Sequence, residues 1–389
     1  MPRLLPDATR LVTSGRGHDS GDGPRPCQQV TCSNCLSERP GPSSRARLVA
    51  PLNDSKSKQF RAEARGRLRD TAATSKRRRT MKIGIVGLGN MGKLIAAAVV
   101  RAGFETYVYD LRAEAIAELV EQGAKGTTSV KELAEAADVI GVVVLNEPQV
   151  QSVADEIVAV GLPRTLIVHS TVTPAFVQGL AESLAPAGIG VLDAPVAGGL
   201  ARARTGELTV MVGGTDTDAA KLAPLFDAFG REIFHVGPPG AGSAAKLSVN
   251  FMTIAGYALQ IEAMNFARAY GLTEDALSSV LTTSNADSRA VRTWGLQDRL
   301  RASVPAGTTP AQLVMKKDLS SFTTAAGRAG LVSPLAAVAA ETLVNRVEER
   351  DTYLDSIGGR PDTPQCTTCG QELIPPFREA GEHPECARA

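Results

Sequence analysis

The sequence predicts an α/β domain built on a parallel sheet, followed by an all-helical domain, with a non-globular extension at each end. Three observations lead to this prediction. Short apolar runs alternate with amphipathic segments over residues 81–241, strand signals become scarce over 242–350, and turn-forming residues dominate 1–80 and 351–389. Near-continuous apolar strands that alternate with helices are typical of a parallel sheet covered on both faces.

The first 80 residues form a basic extension. They hold 17 Lys and Arg against 7 Asp and Glu, whereas the remaining residues hold 25 against 34. Rich in Pro, Gly and Ser and poor in apolar residues, this extension is predicted to be disordered. Its basic cluster at residues 76–79 is a solvated charge run or a nucleic-acid or localisation patch. A natural start at Met81 is a further alternative, because ordered patterns begin there.

The cysteines all lie near the two ends of the chain. Three of the six cysteines precede residue 36, three follow residue 365, and none lies between. A body without cysteine has no disulfide framework, and we expect a cytoplasmic protein. The chain shows neither an apolar run long enough to cross a membrane nor a clear secretion signal.

The predicted elements follow in chain order. Strands are expected at KIGIVG, ETYVYD, ADVIGVVVL, TLIVHS, GIGVLDAP, ELTVMVGG and EIFHVG, with helices such as NMGKLIAAAVVRAG and RAEAIAELVEQG between them. The spacing then becomes helical throughout. We predict that the first helix of the second domain runs from Ser243 to about Tyr270.

A glycine-rich turn after the first strand predicts dinucleotide binding. Gly87, Leu88, Gly89, Asn90, Met91 and Gly92 form the pattern G-x-G-x-x-G between a strand and a helix. Asp110 follows at the end of the next strand, where its carboxylate can accept hydrogen bonds from a ribose. This context predicts a Rossmann-type domain that prefers NAD, although Arg112 leaves NADP open.

The start of the second domain carries a candidate acid–base group. Lys246 and Asn250 lie four residues apart and therefore share one helix face. A partly desolvated lysine beside a cofactor can exchange a proton with a substrate oxygen. Taken without its context, the same lysine is more simply an exposed surface residue.

Four ordered motifs resemble the β-hydroxyacid dehydrogenase family, which includes 3-hydroxyisobutyrate dehydrogenases and tartronate semialdehyde reductases. These are the glycine-rich turn, DAPVAGG, GAGSAAKLSVN and KKDLSS, spread over residues 82–345. The resemblance implies that Lys246 is the general acid or base and that Asn250 holds substrate. It also implies cofactor contacts from Leu145, Asn146, Thr171 and Lys317, and a homodimer or homotetramer packed through the helical domain.

The family resemblance assigns the DAPVAGG loop to the substrate carboxylate, through Ala197, Gly198 and Gly199. Glycine lets an anion approach backbone N–H groups that a Cβ would shield. The family usually has Ser or Thr where Ala197 stands and glycine where Arg202 stands. Arg202 and the nearby Arg204 add positive charge to this loop. These two side chains either select a more acidic substrate, such as a dicarboxylate or sulfonate, or are exposed loop charges.

The sequence therefore predicts an NAD-dependent 3-hydroxyacid dehydrogenase that acts on a small carboxylate substrate, with NADP as the less favoured cofactor. Two related families fit less well: 6-phosphogluconate dehydrogenases have histidine where Val249 stands, and imine reductases replace the lysine that Lys246 retains. The alternative is an NAD-sensing or nucleic-acid-binding protein that uses a dehydrogenase scaffold, with the basic extension and a zinc-binding C-terminal tail as its contacts. We expect neither membrane nor nucleic-acid partners.

The C-terminal tail contains a candidate zinc site. Its predicted ligands are Cys366, Cys369, His383 and Cys386. Thiolates and an imidazole at such spacings can close a tetrahedral structural site. A free, unstructured tail is the other interpretation.

Overall fold

The computed structural model describes residues 81–298 and 309–358, together with residues 367 and 381. The basic extension and the four predicted zinc ligands lie outside these residues, so those predictions stay untested.

A single nine-stranded sheet organises the first part of the described chain. Its strand order is β3-β2-β1-β4-β5-β6-β8-β7, with β9 paired to β8. The strands are β1 (Lys82–Val86), β2 (Glu105–Tyr109), β3 (Lys125–Gly126), β4 (Val139–Val142), β5 (Thr165–Val168), β6 (Gly190–Asp193), β7 (Val196–Ala197), β8 (Leu208–Gly213) and β9 (Gly230–Gly237). From β1 the chain adds β2 and β3 on one side, and it then returns to add β4, β5 and β6 on the other side. This topological switch point lies between β1 and β4, where this architecture opens a crevice for a ligand.

Helices cover both faces of the sheet, as the alternating pattern predicts. They are α1 (Asn90–Arg101), α2 (Ala113–Val120), α3 (Val130–Ala136), α4 (Glu147–Val160), α5 (Pro174–Leu184), α6 (Gly199–Thr205) and α7 (Asp216–Phe226). Buried side chains of α1, α2, α6 and α7 join one apolar core, and those of α3, α4 and α5 join the other. The Rossmann-type arrangement is confirmed.

The sheet is mixed at one edge, which the sequence pattern does not reveal. β1 to β6 pair in parallel, whereas β8 runs antiparallel to both β6 and β7. The short helix α6 joins β7 to β8, and so short a connection returns the chain in the opposite direction. This helix also occupies the stretch that carries Arg202 and Arg204.

The second part of the described chain is helical from residue 241 onward. It contains α8 (Ala241–Ala269), α9 (Glu274–Thr282), α10 (Arg289–Arg292), α11 (Ala311–Arg328) and α12 (Pro334–Ser356). α8 matches the long helix predicted for Ser243 to Tyr270 to within two residues at either end. It packs against α11 and α12 around an apolar core that includes Ile261 and Leu343.

A buried charge network lies beside this core. Arg350 is 1% exposed, donates hydrogen bonds to the carboxylates of Glu274 and Asp298, and lies 4.6 Å from the centroid of the Trp294 ring. A buried cation needs such partners because desolvation of an isolated charge is costly. No helix among the described residues has the length and apolarity that a bilayer crossing requires.

Candidate active site

The glycine-rich turn connects β1 to α1 and has no room for a side chain at Gly87 or Gly92. Gly87 has φ +91°, and a Cβ on Gly92 would lie 1.9 Å from the Gly87 carbonyl oxygen. Gly89, by contrast, begins α1 and faces open space, since nothing lies within 4 Å of a Cβ placed there. Two glycines therefore shape the turn, and the third leaves its backbone open to a ligand at a helix N-terminus. Asn90 and Met91 lie in the first turn of α1.

Asp110 lies directly after β2 and contacts the glycine-rich turn. Its carboxylate accepts hydrogen bonds from the Leu88 backbone N–H at 2.6 Å and from the Arg112 Nε at 3.1 Å. Burial acts to raise the pKa of Asp110, but the hydrogen bonds from Arg112 and Leu88 outweigh it, so this pKa lies below its ordinary value. The carboxylate is thus ionised at neutral pH and suited to accept hydrogen bonds from a ribose.

The loops after β4 and β5 meet the helical domain at one lysine. The Nζ of Lys317, on α11, donates to the carbonyl oxygens of Thr171 at 3.0 Å and Leu145 at 3.3 Å. Asn146 caps α4 by accepting the Gln149 backbone N–H. A cleft of about 290 Å³ opens where these loops face α11. The residues predicted to contact the cofactor from the sheet domain and from the helical domain therefore lie next to one another.

The predicted substrate loop follows β6 and exposes its backbone. Ala197 pairs with Thr209 of β8, and Gly198 and Gly199 are exposed with φ +131° and +71°. A Cβ on Gly198 would lie 3.0 Å from the Arg202 Cδ. The aliphatic stem of Arg202 therefore lies directly against the loop.

Asp193 anchors the lysine-bearing helix to this loop. It is fully buried, and its carboxylate accepts the backbone N–H groups of Gly240 at 2.8 Å and Ser243 at 2.5 Å. A carboxylate at a helix N-terminus satisfies unpaired N–H groups and complements the helix dipole. Burial raises the pKa of Asp193, an effect that these two hydrogen bonds oppose. Sequence reasoning missed this role, although an acid directly after an apolar strand was a visible signal.

Lys246 and Asn250 lie on one face of α8, five and nine residues after its first residue. Lys246 is partly buried, and burial lowers the pKa of its ammonium. Asn250 donates its Nδ2 to Asp318 at 2.7 Å. A lysine with a lowered pKa can act as an acid or a base nearer to neutral pH than an exposed lysine can. Asp318 is a further residue that sequence reasoning missed as a site residue.

The two histidines of the sheet serve structure. His169 is buried, and its Nδ1 lies 2.7 Å from the Ala194 carbonyl oxygen. Burial lowers the pKa of His169 to about 4, so the ring is neutral at neutral pH. The Nε2 of His235 lies 2.9 Å from the Gly214 carbonyl oxygen. Within the described residues no cluster of three or more His, Cys, Asp or Glu side chains could hold a metal ion.

A dinucleotide turn at the switch point of a parallel sheet, with a partly buried lysine on an adjoining helix, defines the class of a nicotinamide-dependent oxidoreductase. Two family models match the chain. Residues 82–237 match the NAD binding domain of 6-phosphogluconate dehydrogenase, and residues 240–355 match the model described as NAD-binding of NADP-dependent 3-hydroxyisobutyrate dehydrogenase.

Individual proteins agree with the family models. The L-threonate dehydrogenase of Escherichia coli O6:H1 is 36% identical over 66% of this chain and 86% of its own length. The NAD-dependent L-serine dehydrogenase of Pseudomonas aeruginosa is 33% identical over 66% of this chain and 89% of its own length. The structure of Mycobacterium tuberculosis 3-hydroxyisobutyrate dehydrogenase with L-serine has a TM-score of 0.61 and 27% identity, covering 68% of this chain and 93% of that one.

The chain belongs to the β-hydroxyacid dehydrogenase family. The predicted activity class, a hydroxyacid oxidoreductase, and the predicted binding of NAD(P) are confirmed. These similarities lend no support to the alternative of a nucleic-acid-binding protein.

Proposed function

We propose that this protein oxidises a small 3-hydroxy acid, or reduces the matching semialdehyde, with Lys246 as general acid and base. The dinucleotide, when bound, accepts or supplies the hydride at C4 of its nicotinamide. The observation that carries the proposal is the position of Lys246: it is partly buried, has a lowered pKa and shares a helix face with Asn250. In the oxidation direction the neutral amine accepts the hydroxyl proton, and in reduction the ammonium returns it.

The substrate carboxylate is assigned to the loop at Ala197, Gly198 and Gly199. Both glycines have exposed backbones in conformations that other residues avoid, which suits the close approach of an anion. Anchoring of α8 by Asp193 supports this assignment, because one carboxylate holds the lysine-bearing helix to the strand that precedes the loop. Asn250 is proposed to bind the same substrate from the helix.

Cofactor binding is assigned to the glycine-rich turn (Gly87 to Gly92) and to Asp110, Leu145, Asn146, Thr171 and Lys317. NAD is the proposed cofactor, because an ionised Asp110 accepts hydrogen bonds from a ribose hydroxyl and repels a 2′-phosphate. The ratio of kcat/KM for NAD to that for NADP tests this choice. A ratio below one would overturn it and assign Arg112 to the 2′-phosphate.

The substrate class is tested by a panel assay on the full chain. L-Threonate, L-serine and 3-hydroxyisobutyrate, with which the relatives are named, are the first candidates. A dicarboxylate and a sulfonate analogue test whether Arg202, whose stem contacts Gly198, favours additional negative charge. NAD-dependent turnover of at least one hydroxy acid, lost in Lys246→Met, is the expected result. Turnover that survives in this variant would contradict the proposed role of Lys246.

We also propose a homodimer or homotetramer that packs through the helical domain. Met252, Leu259 and Phe266 repeat every seven residues on α8, and each is at least 65% exposed. Apolar side chains repeated on one helix face are suited to pack against a second copy. Light scattering should give at least twice the mass of one chain, and Leu259→Glu should reduce it. A monomer at micromolar concentration would refute the assembly.

Two further assignments stay predictions. The structural zinc at Cys366, Cys369, His383 and Cys386 is tested by metal analysis of the purified full chain, with one equivalent expected and none in Cys366→Ser. The cytoplasmic location is tested by fractionation of the native cell.

A further inference from the structure

Asp318 lies where the predicted cofactor and substrate residues of the two domains meet. It follows Lys317 on α11 and is 7% exposed. Its carboxylate has two partners: Oδ2 accepts a hydrogen bond from the Asn250 amide, and Oδ1 lies 2.9 Å from the Nζ of Lys317 as an ion pair.

The contact with Asn250 determines which way that amide faces. An ionised carboxylate only accepts hydrogen bonds, so the group of Asn250 that faces Asp318 at 2.7 Å must be the NH₂ donor. The Asn250 carbonyl oxygen then lies on the far side of the planar amide and keeps its acceptor capacity for a substrate hydroxyl. Without the carboxylate, both orientations of the amide would be populated.

Lys317, the ion-pair partner of Asp318, links α11 to the sheet domain. The same Nζ that pairs with Asp318 donates to the carbonyl oxygens of Thr171 and Leu145, which follow β5 and β4. Because these two carbonyl oxygens hold the ammonium of a residue on α11, that helix is tied to the loops proposed to contact the nicotinamide.

The charges around Lys246 come from the same pair. Burial lowers the pKa of the Lys246 ammonium, the charge of Asp318 raises it, and the charge of Lys317 lowers it further. Other charged groups on elements packed against α8 are engaged elsewhere or exposed: Asp193 of β6 is bonded to the helix start, Arg350 of α12 is paired with Glu274 and Asp298, and Lys316 of α11 is exposed. His235 of β9 lies against Gly214 and Asp216.

We propose that Asp318 is a positioning residue whose buried carboxylate orients Asn250 toward the substrate and places a negative charge beside Asn250, one helix turn from Lys246. The inference rests on the proposed function, because it assigns a consequence to the general acid–base role of Lys246. One carboxylate thereby joins substrate orientation to proton transfer, without contacting the reacting atoms itself.

The test is the pH dependence of kcat/KM for oxidation of the panel's best hydroxy acid at saturating cofactor, measured on the full chain. Oxidation needs the neutral amine of Lys246, so kcat/KM rises with pH through the pKa of that group. Asp318→Asn removes a negative charge, lowers the pKa of Lys246 and moves the rise to lower pH. Lys317→Met removes a positive charge, raises that pKa and moves the rise to higher pH. A purely structural role predicts no such pair of opposite shifts.

Two matched control variants distinguish a change of charge near Lys246 from general damage to the helical domain. Asp298→Asn makes the same change at an equally buried carboxylate of the helical domain, and Lys316→Met removes the exposed charge next to Lys317. Both should leave the position of the rise unchanged. In Asp318→Asn we also expect kcat/KM at its optimum to fall by about 10- to 100-fold through loss of orientation.

The outcomes distinguish the two proposals. The inference is supported if the rise of kcat/KM shifts to lower pH in Asp318→Asn and to higher pH in Lys317→Met, while both controls keep it at its original pH. If Lys246→Met abolishes turnover but Asp318→Asn leaves the rise in place in a folded protein with normal cofactor binding, the inference is overturned and the proposed function stands. If Lys246→Met retains turnover, the proposed role of Lys246 is refuted, and the inference that rests on it is refuted as well.

Discussion

The cofactor side and the substrate side of this active site are held together by different means. The glycine-rich turn depends on backbone geometry within six residues, where a Cβ on Gly92 would collide with the Gly87 carbonyl. The substrate side depends on polar and charged side chains that meet over long sequence separations, 68 positions for Asn250 and Asp318 and 146 for Lys317 and Thr171. Steric exclusion therefore shapes one side and buried electrostatics the other. The two sides should respond differently to substitution and to pH.

The largest effect is expected at the buried charge network of the helical domain. Arg350→Met leaves Glu274 and Asp298 without their buried partner, and the free energy of unfolding should fall by about 3–5 kcal/mol. Urea denaturation measures it. Arg346→Met, which removes an arginine paired at the surface with Glu262, should cost less than about 1 kcal/mol. Equal losses in the two variants would show that burial of the charge is unimportant here.

A smaller but more local effect is expected in the glycine-rich turn. Gly92→Ala places a methyl group against backbone and should cost about 3 kcal/mol of stability. Gly89→Ala meets no atom within 4 Å, so the fold should keep its stability while the dissociation constant for NAD rises. Thermal denaturation and fluorescence titration with the cofactor give the two quantities. Should Gly92→Ala be as stable as Gly89→Ala, the steric account of this turn fails.

The smallest effect per pH unit is a pH dependence of stability that originates in His169. Its pKa is about 4 in the folded protein, below the ordinary value of 6.5, so the unfolded chain binds its proton first as the pH falls. The stability that the neutral ring contributes is therefore complete above pH 6.5 and is lost between pH 6.5 and 4. The slope is at most about 1.4 kcal/mol per pH unit. Urea denaturation at several pH values should show a shallower decline in His169→Gln, and parallel declines would contradict this assignment.

Patterns within a few residues of one another predicted the fold well. Alternating apolar strands and helices indicated the Rossmann-type domain, and the spacing after Gly242 indicated the helical one. The antiparallel β8 was missed, because nothing local in ELTVMVGG distinguishes the two directions of pairing. Direction was decided by the short helix α6, in a stretch where sequence reasoning weighed only the two arginines.

The candidate site was predicted only in part, for the same reason. Lys246 and Asn250 were visible as a pair because both lie on one helix. Asp193 and Asp318 were not, since their partners lie 47 to 68 residues away and only the folded chain brings them together. A buried acid at the end of an apolar strand, or next to a lysine on a helix, is the signal that would have drawn attention to each.

The central claim is tested most directly by turnover of Lys246→Ala with and without a small primary amine such as ethylamine. We predict that kcat falls by about 10²- to 10⁴-fold while cofactor binding is retained, and that the added amine restores part of the lost rate. Turnover equal to that of the unaltered chain, or a loss that comes with loss of cofactor binding, would contradict the account.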